Sequence, residues 1–408
     1  MTEPQQRAAP RRAAFAFIFV TVALDMLALG LIMPVLPKLV EGFVGGNTAR
    51  ASEIFGLFGT AWALMQFLFS PLLGALSDRY GRRPVILLSN FGLGLDYVLM
   101  ALAPSLLLLF VGRVISGICA ATISTSYSYI ADVTPAEDRS RLFGLLGAAF
   151  GLGFVIGPAA GGLLGTIDPR LPFWAAAAMS LANWFYGLLV LPESLPPEKR
   201  APFEWRKANP VGSLVLLRSH PELFGLAGVN FLGGLAHVVL PSVFVLYAGY
   251  RYGWDEGAVG LSLSAVGAAA IVVQAGLIGP VVRRIGDRRA LLFGLACGTI
   301  GFAIFGLAPT GALFCLGIPV MALWGFASPT SLSLMSRHVG PSEQGQLQGA
   351  GSSIQGIATL LGPFIFALTF SYFIGAGGGW HLPGAPFLMA ALMLAAAAAL
   401  AWRVTRVR

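Results

Sequence analysis

Gly74-Ala-Leu-Ser-Asp78-Arg79-Tyr-Gly81-Arg82-Arg83 is a short polar stretch between two long apolar runs, and it returns, worn, 205 residues later. In the second copy Gly279, Arg284 and Gly286 keep step, while Arg283 stands where the acid was. The same offset carries Gly144 to Gly349, Gly151 to Gly356 and Gly157-Pro158 to Gly362-Pro363. An ungapped match over such distant points makes the two halves copies of one unit. In a chain this apolar, that means a membrane protein built from two parallel repeats.

The chain has 408 residues, 56% of them hydrophobic and 11% charged, where a soluble domain carries roughly 25% charge. Apolar runs of about 20 residues, the length a helix needs to cross a bilayer, follow one another with short breaks. Twelve are counted, near 14–38, 54–76, 84–103, 106–132, 140–165, 172–192, 221–248, 256–282, 290–308, 311–336, 344–374 and 385–403. They are too long, and alternate too little, for a β-barrel. The expected fold is therefore all-α and integral to the membrane: twelve transmembrane helices in two pseudo-symmetric six-helix bundles, 1–192 and 221–408. The long charged segment at 193–220 is the expected cytoplasmic linker, with a short interfacial helix around Trp205. The first run follows arginines, as a signal peptide would. It is long, carries Asp25 and lacks a small-residue cleavage pattern, so it is read as a retained helix.

The net charge of +8 is distributed unevenly. Of 26 Lys and Arg, 21 fall on alternate connections and the termini, among them Arg79, Arg82, Arg83, Arg283, Arg284, Arg288 and Arg289. Lys38, Arg50, Arg170 and Arg251 fall on the opposite side, and Arg113 lies inside a span. The positive-inside rule then puts both termini and the linker in the cytoplasm, with the chain in the inner (plasma) membrane. No basic face interleaved with aromatics exists, which excludes nucleic acid as a partner. Cys119, Cys297 and Cys315 all lie in apolar spans and are read as small core residues. There is no metal-ligand spacing, no nucleotide-binding loop and no catalytic constellation. No metal, cofactor or enzymatic activity is expected.

Ionisable groups inside a bilayer cost about 2.5–3.5 kcal/mol or more at a helix centre, so the few present are candidates for function. Asp25 lies eleven residues into the first span, Asp96 midway along the third and Arg113 in the fourth. The second half has no acid inside a span; the offset places neutral Asn230 opposite Asp25. Burial penalises a carboxylate's charged form, and a nearby cation favours it. A carboxylate that alternates between pairing with an arginine and holding a proton is a proton carrier. Asp25, Asp96 and Arg113 are therefore the proton-coupling set, each with a structural ion pair or hydrogen bond as the alternative role.

The 74–83 loop has the chemistry of a gate. Gly74 and Gly81 allow close approach and a tight turn, and Arg82 and Arg83 anchor the polar face. Asp78 can cap a helix start or pair with a basic group of the opposite half as a latch. In the fifth span Gly153, Gly157, Gly161 and Gly162 make a flat face for close packing, and Pro158 bends the helix. Packed between the halves, that face would seal one side of a rocking molecule. The fourth span carries a polar run from Thr122 to Asp132 that includes Ser126 and Tyr129. With Gln66, Asn230, His237 and Gln274, these two are the substrate-cavity candidates, against the alternative of hydrogen bonds within and between helices.

With these residues placed, nearly the whole chain resembles the major facilitator superfamily, and within it the twelve-span drug/proton antiporters, the tetracycline exporters above all. The resemblance rests on Leu24-Asp25 with Gly30-Leu-Ile-Met-Pro34-Val-Leu-Pro37, Ala63-Leu-Met-Gln66, the 74–83 loop, Ser89 to Tyr97, Gly112-Arg113 with Ser116-Gly117, Gly157-Pro158, Tyr252-Gly-Trp254 and Gln344-Gly-Gln-Leu-Gln-Gly349. It implies proton-coupled drug efflux. By that resemblance Asp25, Asp96 and Arg113 match polar residues of coupling, Gln66 a substrate-region residue, and Asp78, Arg79, Gly81, Arg82 and Arg83 the gating loop. Two positions depart from the family pattern: an eighth-span histidine falls on Ala270 and a ninth-span aspartate on Gly298.

The expected function is secondary active transport of a small amphipathic molecule against protons by alternating access, in a monomer within the lipid bilayer. The alternatives are a facilitator or importer of a small metabolite and a membrane-embedded sensor.

Overall fold

The computed structural model describes residues 8–120, 122–200, 216–217, 221–340, 343–375 and 380–406. Trp205 and most of the expected linker fall outside them. All regular structure among the described residues is helical, as it must be where lipid offers no partner for backbone N–H and C=O groups.

The first half runs α1 (Ala8–Ile32), α2 (Leu36–Phe43), α3 (Thr48–Tyr80), α4 (Arg82–Leu102), α5 (Leu106–Cys119), α6 (Thr122–Val133), α7 (Ala136–Ile167) and α8 (Leu171–Val190). The second half runs α9 (Pro221–His237), α10 (Val239–Tyr252), α11 (Glu256–Val272), a π turn (Val273–Leu277), α12 (Ile278–Leu307), α13 (Gly311–Ala322), a 3₁₀ turn (Leu323–Phe326), α14 (Ala327–Ser336), α15 (Gln344–Ile374) and α16 (Ala385–Val404). The second span is longer than its apolar window of 54–76 because polar turns at both ends continue the helix past it.

Among the described residues, eleven helical stretches are long and apolar enough to cross a bilayer. One of them, Glu256–Leu307, has 52 residues, about 78 Å at the helical rise against a hydrocarbon core of about 30 Å. It is two spans, because Gly286 breaks it with φ 78° and ψ 161°. That makes twelve. Gly81, its repeat partner, separates α3 from α4 with φ 108° and ψ 158°. The repeated glycine thus encodes one backbone conformation, a positive-φ extended region that residues with a Cβ rarely enter.

Other breaks obey the same offset. The first span is interrupted where Met33 N–H donates to Gly30 O, and the seventh where Val238 N–H donates to Leu235 O. α4 and α12 end at Leu102 and Leu307, and α5 and α13 begin at Leu106 and Gly311. Pro158 and Pro363 both lie inside helices, α7 and α15.

Contacts group the chain into two compact units that are discontinuous in sequence. One comprises Met1–Leu36, Leu64–Asn209 and Glu256–Ser264; the other comprises Pro37–Ala63, Pro210–Asp255 and Ala265–Arg408. In the first, α1 packs most extensively on α7, and α4 on α8; in the second, α12 and α9 pack on α16. Large apolar side chains also point outward: Leu107, Leu189 and Leu316 are each 70% exposed, a surface suited to lipid and costly in water. The cysteines are corrected in the same sense. Cys119 and Cys297 are half-buried and Cys315 is exposed, so none of the three is a fully enclosed core residue.

Gly81→Ala and Gly286→Ala are each expected to destabilise the protein by about 1–3 kcal/mol, while Gly74→Ala, with open space around its Cα, leaves it unchanged. Melting temperatures of the three variants in detergent check this; equal melting for all three would contradict the repeated turn.

Candidate functional site

Asp25 lies on α1 and is 6% exposed; Asp96 on α4 is 1% exposed. No carboxylate oxygen of either has a hydrogen-bond partner among the described residues. On the same helix Phe17, Ile18, Val22 and Met26 join Tyr129 and Ile130 in one apolar cluster of the first unit. One turn before it, the Thr21 hydroxyl donates to Asn183 Oδ1 at 3.1 Å, tying α1 to α8. Asp96 interacts electrostatically with Arg113 of α5. Gly112 permits this approach: a Cβ there would lie 2.8 Å from Asp96 Oδ1 and 2.7 Å from Met100 Cγ. Tyr97, buried beside Asp96, senses both Asp96 and Asp25. The structure therefore gathers Asp25, Asp96, Tyr97 and Arg113 into one neighbourhood of α1, α4 and α5. A desolvated carboxylate without a fixed partner is the chemical equipment for binding and releasing a proton.

The 74–83 stretch is mostly helical rather than a loop, since Gly74–Tyr80 continue α3 and only Gly81 separates it from α4, and it forms a charged knot within the first unit. Arg82 Nη1 pairs with Asp78 Oδ1 at 2.6 Å and donates to Ser77 Oγ at 2.7 Å, while its Nε meets Asp132 Oδ2 at 3.1 Å. Glu193 accepts from the backbone N–H groups of Arg82 at 2.8 Å and Arg83 at 3.3 Å. It thereby places a carboxylate on the open N-terminus of α4, where the helix dipole favours it. Arg83 donates to Leu188 O at 2.8 Å. Here Asp78 pairs with its own loop. Asp132 and Glu193 are components that sequence reading did not single out.

The second copy builds one ion pair of this knot with its charges reversed. Asp287, at the place of Arg82, pairs with Arg337, at the place of Asp132, and accepts from Ser333 Oγ at 3.0 Å. Arg288, at the place of Arg83, likewise reaches the last helix of its half, donating to Thr405 Oγ1 at 3.1 Å and covering the Trp402 ring at 5.0 Å. The 205-residue offset relates an Arg–Asp pair to an Asp–Arg pair. Complementary charges at both shifted positions were the signal that could have revealed it.

The Gly-Pro helix closes tightly on α1. A Cβ on Gly157 would lie 2.7 Å from Gly30 Cα, and one on Gly30 would lie 2.9 Å from Pro158 Cδ. Gly161 abuts the Leu31 backbone. On another face of α7, Gly162 and Pro158 meet Gly260 and Glu256 of α11 within the first unit; a Cβ on Gly162 would lie 3.1 Å from Gly260 Cα. A helix of the first sequence half thus touches one of the second. In the repeat, a Cβ on Gly362 would lie 2.8 Å from Val238.

The cavity candidates divide. Ser126 and Tyr129 are fully buried, and the Tyr129 hydroxyl donates to Pro192 O at 2.9 Å; neither is open to a solute here. Gln66 is half-buried. In the second unit Asn230 is half-buried and donates to Met335 Sδ at 3.2 Å, whereas His237 and Gln274 are exposed. The His237 ring lies 5.7 Å from that of Trp324, a residue sequence reading passed over.

The profile of the Major Facilitator Superfamily matches residues 18–363. The chain belongs to that superfamily. It is 37% identical over 378 residues to the class C tetracycline resistance protein of Escherichia coli, covering 92% of this chain and 95% of the relative. It is 37% identical to the class G tetracycline resistance protein of Vibrio anguillarum, covering 90% and 93%. Among solved structures, the human organic anion transporter MFSD10 superposes with a TM-score of 0.69 at 25% identity, over 96% of this chain and 99% of that one. As a superfamily member, this protein is a multi-pass membrane transporter of small molecules and not an enzyme.

Arg337→Asp alone brings two carboxylates together and is expected to lower transport and melting temperature; adding Asp287→Arg restores the pair in the polarity of the first half. The mirror swap, Arg82→Asp with Asp132→Arg, fails, because Asp78 then faces a like charge. Vesicle transport rates for the four combinations check both halves of this expectation, and an unrescued Arg337→Asp would sink it.

Proposed function

We propose that this transporter is a proton-coupled exporter of tetracycline-like, flat amphipathic compounds. One observation carries the coupling: the carboxylate of Asp25, buried in a span that has no hydrogen-bond partner for it. Kinship with proteins named for tetracycline resistance, over nine-tenths of the chain, supports the substrate class and the direction.

In this reading Asp25 carries the proton. Asp96 is the second carboxylate of the same neighbourhood, and Arg113 stabilises it when charged and releases it when neutral. Protonation removes a charge that a closed, dry site tolerates poorly, so it shifts the balance between the inward and outward states. The bundles 1–192 and 221–408 move about the 193–220 linker. Of the Gly153–Gly157–Pro158–Gly161–Gly162 helix, Gly153, Gly157 and Gly161 hold α1 within the first bundle, while Pro158 and Gly162 supply the close, weakly interlocked contact with α11 that can part and re-form. The loop of Gly74, Asp78, Arg79, Gly81, Arg82 and Arg83 gates the polar face, with both termini in the cytoplasm of a cell whose inner membrane holds the protein. Gln66, Asn230, His237 and Gln274 contact the solute. A single chain contains the pathway and works as a monomer.

Asp25→Asn is expected to abolish tetracycline uptake driven by a pH gradient in everted vesicles, by more than about a hundredfold, while expression stays intact. Wild-type vesicles that take up tetracycline equally without a gradient would overturn the coupling. A drug-susceptibility panel in an exporter-deficient host checks the substrate class, and unchanged tetracycline tolerance overturns it.

A further inference from the structure

Four elements of the second unit bring polar or aromatic groups to one face. α9 supplies His237, exposed and in ring contact with Trp324 of the 3₁₀ turn. α15 supplies Gln355, also exposed, whose Oε1 would lie 2.7 Å from a Cβ on Gly234, one turn before His237. The π turn supplies Gln274, whose Cγ would lie 3.9 Å from a Cβ on Gly325, next to Trp324. Uncovered polar side chains on membrane spans face water or a solute rather than lipid, which cannot hydrogen-bond them. Single π turns inside helices frequently accompany functional sites.

The indole of Trp324 is fixed from behind. Its ring meets Phe302 edge-on at 5.7 Å, and it covers Gly298. A Cβ at 298 would lie 2.8 Å from Trp324 Cγ and 2.7 Å from Leu394 Cδ1. No side chain fits there while the indole stays. All acids of this sequence half, Glu222, Asp255, Glu256, Asp287 and Glu343, lie at helix ends or between helices. The face therefore offers a rigid π surface with neutral hydrogen-bonding groups and no carboxylate.

We propose that Trp324, backed by Gly298 and paired with His237, is a specificity-determining platform that stacks the uncharged, planar aromatic part of the solute, and that the indole and any side chain at 298 exclude one another. Gln274 and Gln355 supply neutral hydrogen bonds at its edge. The inference rests on the reading of this chain as an exporter of flat compounds, but not on its proton coupling.

Equilibrium binding to the purified full chain in detergent, with no gradient present, tests it. Tetracycline serves as the planar probe and tetraethylammonium as the non-aromatic cation. Trp324→Ala is expected to weaken tetracycline binding about five- to tenfold and Trp324→Phe by less than about threefold, with tetraethylammonium binding weaker than tetracycline throughout. If Trp324→Ala yields no folded protein, Trp324→Leu, which keeps apolar bulk without a π face, carries the same expectation. Gly298→Asp is expected to lower both tetracycline binding and melting temperature, and Trp324→Ala added to it to recover the melting temperature. Wild-type protein that binds tetracycline no better than tetraethylammonium overturns the proposal. So does undiminished tetracycline binding by folded Trp324→Ala or Trp324→Leu, or by Gly298→Asp with the indole in place. Tetracycline binding present while gradient-driven uptake is absent would count against the proposed coupling alone.

Discussion

Lipid offers neither a hydrogen bond to the backbone nor a hydrophobic reason for helices to associate, and the architecture answers both constraints. Every span satisfies its own amides by coiling. Association then depends on how closely backbones can approach, because dispersion and short-range contacts replace the driving force that water would provide. The contact of α7 with α1 is the clearest case. Gly157 and Gly30 bring two main chains to a separation that leaves no volume for a Cβ on either. The same helix then spends Pro158 and Gly162 on α11. The α1 contact joins two helices of one half, whereas the α11 contact, made of backbone and small atoms with few interlocking side chains, joins the two halves and suits the parting and re-forming proposed for a transport cycle.

On this repeated scaffold the charges are not repeated. The two halves share their backbone breaks to the residue at Gly81 and Gly286, and at Met33 and Val238. Both tie the loop between their second and third spans to the end of their fourth. The first does so with Arg82 on Asp132 and the second with Asp287 on Arg337. An ion pair is indifferent to which partner is the cation, so duplication and drift can invert it without disturbing the fold. Inside the membrane no such freedom exists, since each charge there is costly. The first half keeps Asp25, Asp96 and Arg113; the second holds an aromatic and amide face around Trp324 instead. In the proposed reading, coupling chemistry and solute recognition are weighted towards different halves.

The fold was legible because its determinants are local: run length, glycine position and the periodic return of a motif. Ten of the twelve expected spans correspond to separate helical stretches, and the other two, 256–282 and 290–308, share one continuous stretch that Gly286 breaks. The candidate site was legible only where burial of a charge is itself the signal, as for Asp25 and Asp96. Ser126 and Tyr129 sit in a polar run that looks like a cavity lining, yet they point into the packed interior of the first unit, because a helix of mixed composition has several faces and composition does not say which one is covered.

The sequence alone determined the number and order of spans, the duplication, the membership of a transporter superfamily and the identity of the intramembrane charges. All of these follow from composition, periodicity and motif, which need no knowledge of neighbours. Only the tertiary structure decided who meets whom: Glu193 on the start of α4, Gly112 opening a way for Asp96, the reversed pairing of Asp287 with Arg337, and Trp324 filling the space above Gly298. Each joins residues far apart along the chain, and their proximity is set by the packing of helices whose rotation about their own axes no local pattern specifies.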